Sequence, residues 1–383
     1  MLNTQRIKIN FLIACSQKTQ SSQSRKIIEA TLNKPENELR DILLLAYQHG
    51  VIPLVYHNIK NYKTLSDINR LKQSYREIAT NNMLMSIELI KTMNIFSQHK
   101  IPALAFKGPA LAKMAYGDIA LRQFGDLDIL IQQKDLTKVI KLLQQRNYSL
   151  DIELQEKEEK EFFSSVNVVG LTDKEKNISI EIHWKLTAQN YAIFWDQSKI
   201  WEQIDEVVIQ KYPIATLSFV NHLLYLCVHG AKHLYERLEW LCDIDRLIRT
   251  NAAIEWKELI KAAQKLKIVR TLLLSLALCE SILDLKIDDS IKIKIDQDKS
   301  LKKLKQKIII LSFSDSLQKP SAYQKFILLY SMRDTLYDKI SFVYFSLFSP
   351  KFDDYKTFRL PRYLTPLYPI LRIMRLVKKY FLS

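Results

Sequence analysis

Asp126 and Asp128 stand two residues apart in the run Asp126-Leu127-Asp128-Ile129-Leu130-Ile131, whose composition predicts a strand. Side chains at i and i+2 of a strand leave the same face, so the two carboxylates would stand side by side while Leu127, Ile129 and Ile131 pack on the other face. Adjacent carboxylates repel, and nothing within this strand neutralises them. A divalent cation between them is the simplest remedy. A third carboxylate, Glu181, lies in a second predicted strand, Asn177 to Trp184. There Ile178, Ile180 and Ile182 alternate with Ser179, Glu181 and His183, so one face is greasy and the other carries the acid. Together Asp126, Asp128 and Glu181 suggest a metal triad on adjacent strands.

The elements that must position these acids fall between Ile101 and Gln132. The spacing predicts a strand from Ala103 to Phe106, a turn at Lys107-Gly108-Pro109, a helix from Ala110 to Tyr116, and then the strand of the two aspartates. Three of the chain's six glycines, Gly108, Gly117 and Gly125, fall in this stretch. A chain so poor in glycine keeps one where backbone turns sharply or approaches something closely. The free N–H groups at the start of the 110–116 helix favour an anion, and Lys107 and Arg122 would add positive charge beside it. A metal triad next to an anion-binding turn suits nucleotidyl transfer. One Mg²⁺ neutralises the triphosphate and leaving pyrophosphate; a second ion, or a carboxylate base, prepares an acceptor hydroxyl for in-line attack.

The whole chain has 383 residues, 48% hydrophobic and 26% charged, enough for two or three domains with a large core. Its net charge of +16 is spread along the sequence rather than gathered in one block. Cys15, Cys227, Cys242 and Cys279 show no metal-type spacing and read as reduced thiols of a cytosolic protein. Leu12-Ile13-Ala14-Cys15 resembles a lipoprotein cleavage site, but the apolar stretch before it falls short of the roughly 7–15 residues of an export signal. Export is therefore not expected. No apolar run reaches the roughly 18–20 residues of a spanning helix; Thr271 to Leu283 comes nearest and carries Glu280. Residues 1–24 read as a polar, frayed N-terminus. Leu39, Ile42, Leu43, Ala46 and Tyr47 keep helical spacing, with Gly50 as a stop signal, and a long uninterrupted helix is expected from about Leu65 to Gln98. Asp135 reads as the N-cap of a helix through Arg146, and Phe162 to Leu171 as a strand.

The segment KGPALAKMAYGDIALRQFGDLDILI, followed by IEIHW and later by HGAKHLYERLEWLCDIDRLI, resembles the bacterial nucleotidyltransferases of the DNA polymerase β-like superfamily. The resemblance covers roughly Ala46 to Leu247, with the three motifs in the family's order. It implies a small mixed sheet with flanking helices and Mg²⁺-dependent (or Mn²⁺-dependent) transfer of a nucleoside monophosphate from an NTP to an acceptor hydroxyl. By position it implies that Gly108 is the turn glycine, Asp126 and Asp128 the metal-binding pair, and Glu181 the third carboxylate. One departure stands out. The wider superfamily has Gly-Ser at the turn, whereas Gly108-Pro109 lacks that hydroxyl and one N–H. Pro at the first helical position keeps the helix start intact, and Lys107 is the residue placed to compensate.

In the later helical block, His229 and His233 share a face, with His222 two turns earlier. The spacing would suit zinc, but the glutamate of a zinc-protease motif is absent. The resemblance instead suggests that His233, Arg237 and Asp243 line the nucleotide or acceptor side of the cleft. The alternative is an ion pair between Arg237 and Asp243 holding helices together. Trp240 and Leu241 read as core. The tail from Arg359 to Lys379 interleaves basic residues with prolines and leucines; it could contact an anionic membrane, pack across the catalytic domain or, less favoured, meet RNA. No dinucleotide fingerprint, Walker loop or hydrolase elbow occurs in the sequence.

These readings predict an α+β fold: a small mixed β-sheet nucleotidyltransferase (polymerase β-like) domain at residues 99–190, flanked by N- and C-terminal helical segments. Residues 25–98 form the N-terminal helical segment, 191–300 a helical domain completing the cleft, and 301–383 a C-terminal helical and basic tail. Asp126, Asp128 and Glu181 are the expected metal-binding and catalytic residues; Lys107, Gly108 and Arg122, with His233, Arg237 and Asp243, the expected nucleotide-binding ones. Two alternatives keep the fold: a catalytically impaired nucleotide- or partner-binding module, and an RNA-modifying toxin-type transferase. Asp128→Asn is expected to leave the thermal midpoint similar or higher, because a repulsive pair is relieved.

Overall fold

The computed structural model describes residues 2–33, 36–61, 66–153, 156–251, 253–313, 320–358, 360 and 362–381. Five strands form one mixed sheet in the order β1-β2-β5-β4-β3: β1 is Ala103–Ala105, β2 Asp126–Ile131, β3 Ser149–Leu150, β4 Val168–Asp173 and β5 Ile178–His183. The central pair β2–β5 is parallel, and the remaining pairs are antiparallel. A separate hairpin, β6 (Ile204–Ile209) and β7 (Tyr212–Leu217), follows the sheet in sequence. The architecture is α+β, as the alternation of acids and isoleucines implied.

Strands β1 and β2 divide their apolar side chains between two cores, whereas those of β4 and β5 join one of them. Leu127, Ile129 and Ile131 of β2 and Ile178, Ile180 and Ile182 of β5 are buried with Val139, Ile140 and Leu143 of the Leu136–Gln144 helix and with Met85, Leu89 and Phe96 of the Ser66–Gln98 helix. On the opposite face of β2, Leu130 joins a second core with Leu104, Phe106 and the helices Phe219–Lys232, Leu238–Thr250 and Val269–Leu283. Asp126 and Asp128 precede Leu130 on that face. The same strand therefore presents an apolar anchor at its end and acids at its start, toward the gap beside the helical block.

The long helix spans Ser66–Gln98, close to its expected bounds, and the Leu136–Gln144 helix follows Asp135, whose side chain makes no capping bond. Four expectations are corrected. Residues 2–16 form a helix in which Phe11, Leu12, Ala14 and Cys15 are buried, because their apolar spacing seals one face of the N-terminal segment. Phe162 to Ser165 close a helix, Glu156–Ser165, and the strand starts only at Val168, since the charge run before Phe162 extends into a helical turn. The 110–116 helix is a Gly108–Leu111 α turn continued by a π turn over Ala112–Tyr116. Within the region read as helical, residues 204–217 form the β6–β7 hairpin, where Ile204, Val207 and Val208 supply the β-branched residues a strand favours.

All four cysteines are free and buried. Among the described residues no helix is long and apolar enough to cross a membrane. The Tyr368–Phe381 helix spends two of the tail's cations internally: Arg372 reaches Asp354 at 3.0 Å and Arg375 reaches it at 2.5 Å. The side chains of Arg359, Arg362, Lys378 and Lys379 lie outside the described ones.

Gly50 follows the Glu36–Gln48 helix with φ +71°, and a Cβ there would lie 1.8 Å from Glu239 Oε2 and 2.5 Å from Arg237 Nη2. Gly50→Ala is expected to destabilise the chain by about 1–3 kcal/mol through that strain. Chemical denaturation against the wild type checks it; an unchanged midpoint would show that the contact is slack.

Candidate active site

The parallel pairing of β2 with β5 sets Asp128 opposite Glu181 and Asp126 opposite Ser179, with His183 two residues beyond Glu181 on the same face. Nε2 of His183 lies 3.0 Å from Asp128 Oδ1 and 3.2 Å from Glu181 Oε2. One ligand atom from each of Asp128, Glu181 and His183 lies within 4.8 Å of the other two, a set able to hold a metal ion. Asp126 is outside that set, although it shares the face and feels both Asp128 and Glu181.

Two features of Asp128 define the chemistry. Its side chain is fully enclosed, and Lys107 Nζ sits 2.6 Å from Oδ1. Its second oxygen, Oδ2, is buried with no hydrogen-bond partner among the described residues. An enclosed carboxylate oxygen left without a donor is costly. A hard divalent cation, which takes carboxylate oxygens, fits that orphaned atom and the donor set around it.

The electrostatics agree. Burial would raise the Asp128 carboxyl, but Lys107 and His183 outweigh it and hold the group well below the ordinary carboxylate range. Burial works against Lys107 as well, yet the Asp128 carboxylate keeps its ammonium charged. His183 is pushed down by burial and up more strongly by its bonds to Asp128 and Glu181, so its net shift is upward. Asp126 is raised, first by burial and then by Asp128. Three carboxylates, Asp126, Asp128 and Glu181, thus face one lysine and one histidine, and negative charge is left in excess.

The turn upstream explains Gly108. Its φ is +52°, and a Cβ would meet the backbone oxygen of Asp126 at 3.1 Å. Phe106 N–H donates to the Asp128 carbonyl at 3.3 Å, fastening the start of the turn to β2. The ring of Phe106 stands edge-on to His183 at 5.1 Å and to Tyr225 at 5.0 Å, which closes the site from the helical side.

Arg122 is drawn elsewhere. Its Nε and Nη2 hold the two Asp243 oxygens at 2.8 and 2.9 Å, and Glu239 lies 3.3 Å away. Tyr116 donates to Asp243 Oδ1 at 2.8 Å. Asn82 holds the same loop by donating to the carbonyls of Ile119 and Arg122 at 2.7 Å. Arg237 pairs with Glu239 at 2.7 Å rather than with Asp243. The ion pair weighed between Arg237 and Asp243 is therefore replaced by Arg122–Asp243 and Arg237–Glu239. His233 packs against His229 and Trp240, each with ring centroids 5.0 Å away. Leu241 is core, whereas Trp240 is only half-buried. The structure joins Asp128 to Glu181 through His183 and to Lys107 directly; among the described residues Arg122, Arg237 and Asp243 assemble into a neighbouring buried seam and make no bond to those acids.

His183 is the site residue that reading the sequence for carboxylates passed over, although its place two residues after Glu181 put it on the acidic face. Lys107 as the counter-ion of Asp128 was equally hidden, because the pairing runs between turn and strand.

The chain matches the family described as "Uncharacterised nucleotidyltransferase" over residues 35–284 and belongs to it. No curated protein matches the chain.

Breaking the seam should be expensive. Asp243→Ala removes the bidentate partner of the buried Arg122 guanidinium and leaves it only Glu239 at 3.3 Å, so it is expected to cost about 1.5–3 kcal/mol in chemical denaturation; a loss below about 1 kcal/mol would place the pair in effective contact with solvent.

Several buried histidines set an acid limit. Burial lowers His222 and His233 from 6.5 to about 4, and His49 likewise. Groups depressed on folding favour the native state above their unfolded value, and that advantage drains away as pH falls from 6.5 toward 4. The thermal midpoint should fall through this window, with a shallower slope in His222→Leu. Identical slopes would assign the acid sensitivity to other groups.

Proposed function

We propose that the protein is a Mg²⁺-dependent nucleotidyltransferase that moves a nucleoside monophosphate from an NTP to an acceptor hydroxyl and releases pyrophosphate. The observation that carries this reading is the Asp128–Glu181 pair, opposed on parallel strands beside the Gly108 turn, with a buried carboxylate oxygen that has no partner among the described residues. Membership in a nucleotidyltransferase family supports the same class of chemistry.

Asp128 and Glu181 would hold the metal, with Asp126 on the same face. When bound, Mg²⁺ (or Mn²⁺) neutralises the triphosphate and favours departure of pyrophosphate. The side chain of Glu181 is 37% exposed, against none for Asp128, so it is the carboxylate an incoming hydroxyl can reach. It takes the hydroxyl proton as the acceptor oxygen bonds to the α-phosphorus and the bond to pyrophosphate breaks. His183, donating to Glu181, orients that carboxylate. Lys107 balances Asp128 and, from the start of the turn, stands ready to share its charge with a phosphate oxygen. Gly108 keeps the backbone close to β2. Arg122, held by Asp243, fixes the loop leading into Asp126 and lends its charge at longer range.

The expectation for Asp128→Asn changes accordingly: neutralising it removes the anion that offsets buried Lys107, so stability should fall with activity. Glu181→Gln separates the two effects. With an α-phosphorus-labelled NTP and magnesium, the wild type should pass label to acceptor and release pyrophosphate. Glu181→Gln should lose on the order of 100-fold or more of that rate with a near-native thermal midpoint. Full transfer by Glu181→Gln would remove this residue from the chemistry.

A further inference from the structure

The Phe219–Lys232 helix turns one face along the active site. Tyr225 meets Phe106, which in turn meets His183; His229 lies 5.8 Å from Tyr225, and Lys232 follows at the end of the same helix. The Lys232 ammonium is half-buried, and no ion pair reaches it among the described residues. Its Nζ lies over the Tyr191 ring, 5.6 Å from the centroid. Burial lowers the Lys232 ammonium, and Lys107, Lys325 and Lys351 lower it further, against an opposing pull from Glu181. A cation held this way is under-compensated by the protein.

The second cation comes from far along the chain. Lys325 belongs to the Ala322–Ser331 helix, is half-buried, and likewise has no ion pair among the described residues. That helix is fastened by stacking of Phe326 on Phe342 at 5.2 Å to the Leu336–Phe348 helix. The latter is docked on the segment that follows β5: Ser346 Oγ donates to the Asn190 carbonyl at 3.2 Å, and Phe345 meets Phe194 edge-on at 5.1 Å. Tyr191, the ring under Lys232, lies within that segment. Lys325 acts on both Lys232 and His233, and the packing just described carries its helix toward the segment that holds Tyr191 under Lys232. Lysines that form no ion pair among the described residues, beside acids suited to a metal, form a receptor for a linear polyphosphate.

We propose that Lys232 and Lys325 bind the β- and γ-phosphates of the NTP, so that helices beyond residue 284, outside the matched family region, complete the substrate site. The proposal rests on the nucleotidyltransferase reading and deepens it. It also supplies cationic contacts that the Gly108-Pro109 turn, lacking a hydroxyl, does not.

Isothermal titration of the full chain with inorganic tripolyphosphate, and with Mg²⁺ plus an NTP carrying an α,β-methylene bridge, tests it. Lys232→Met and Lys325→Met keep the apolar stem and should each weaken both ligands about tenfold, as loss of one charge-assisted contact implies. Lys303→Met, an exposed position, should bind as the wild type does. Lys232→Met should also hold or raise the thermal midpoint, because an unpaired, half-buried cation is removed; a structural lysine would do the reverse. Wild-type affinity in both variants, or no tripolyphosphate binding by the wild type, overturns the proposal. Label transfer with unchanged KM for NTP in both variants sinks this assignment and leaves the transferase intact. Lysine-dependent tripolyphosphate binding without label transfer does the opposite.

Discussion

The Asp128 carboxylate is the constraint on which the rest of the structure depends. One oxygen is met by Lys107 and His183, and the other is buried with no donor among the described residues. Holding such a group inside a protein requires opposing charge and rigid support. The support comes from the central strands: β2 and β5 run parallel, locked by isoleucines on one face, so their polar faces must point the same way. The charge comes from Lys107, which reaches Asp128 only because the chain reverses at Gly108 close over the backbone of Asp126. Sheet register and turn geometry therefore combine to create one under-satisfied acidic centre.

A second buried charge system lies beside it. Arg122, Asp243, Glu239, Arg237 and Tyr116 connect the loop before β2 to the Leu238–Thr250 helix. Burial raises Glu239 to about 7, despite the pull of Arg122 and Arg237, so its carboxylate is the least comfortable member. Charged seams of this kind add little net stability over apolar packing, but they fix geometry, since a shifted partner leaves an unpaired charge. Here they hold the loop carrying Asp126 against the helical block.

Much of this was readable from residue pattern. The Asp126–Asp128 spacing and the clean alternation around Glu181 identified both strands and their polar faces, because a period of two in a strand leaves little freedom. The register between β2 and β5 was not readable: it depends on packing among residues dozens of positions apart, and it is the register that sets Glu181 opposite Asp128. Charge partners were the harder problem. Arg122 and Asp243 were singled out separately as nucleotide-facing groups, yet they hold each other across 121 positions. Lys232 and Lys325 carried no local motif, since an unpaired lysine is recognised only once its surroundings are known. The β6–β7 hairpin was missed because its short strands sit between strongly helical segments.

The central claim is that Asp128 and Glu181 together hold a divalent cation. Electron paramagnetic resonance of Mn²⁺ titrated into the full chain tests it most directly, since bound manganese loses the sharp signal of the free ion. The account predicts one saturable site in the wild type, competed by Mg²⁺ and weakened by at least about tenfold in Glu181→Gln. Equal manganese affinity in wild type and Glu181→Gln, or no binding with or without nucleotide, would contradict it.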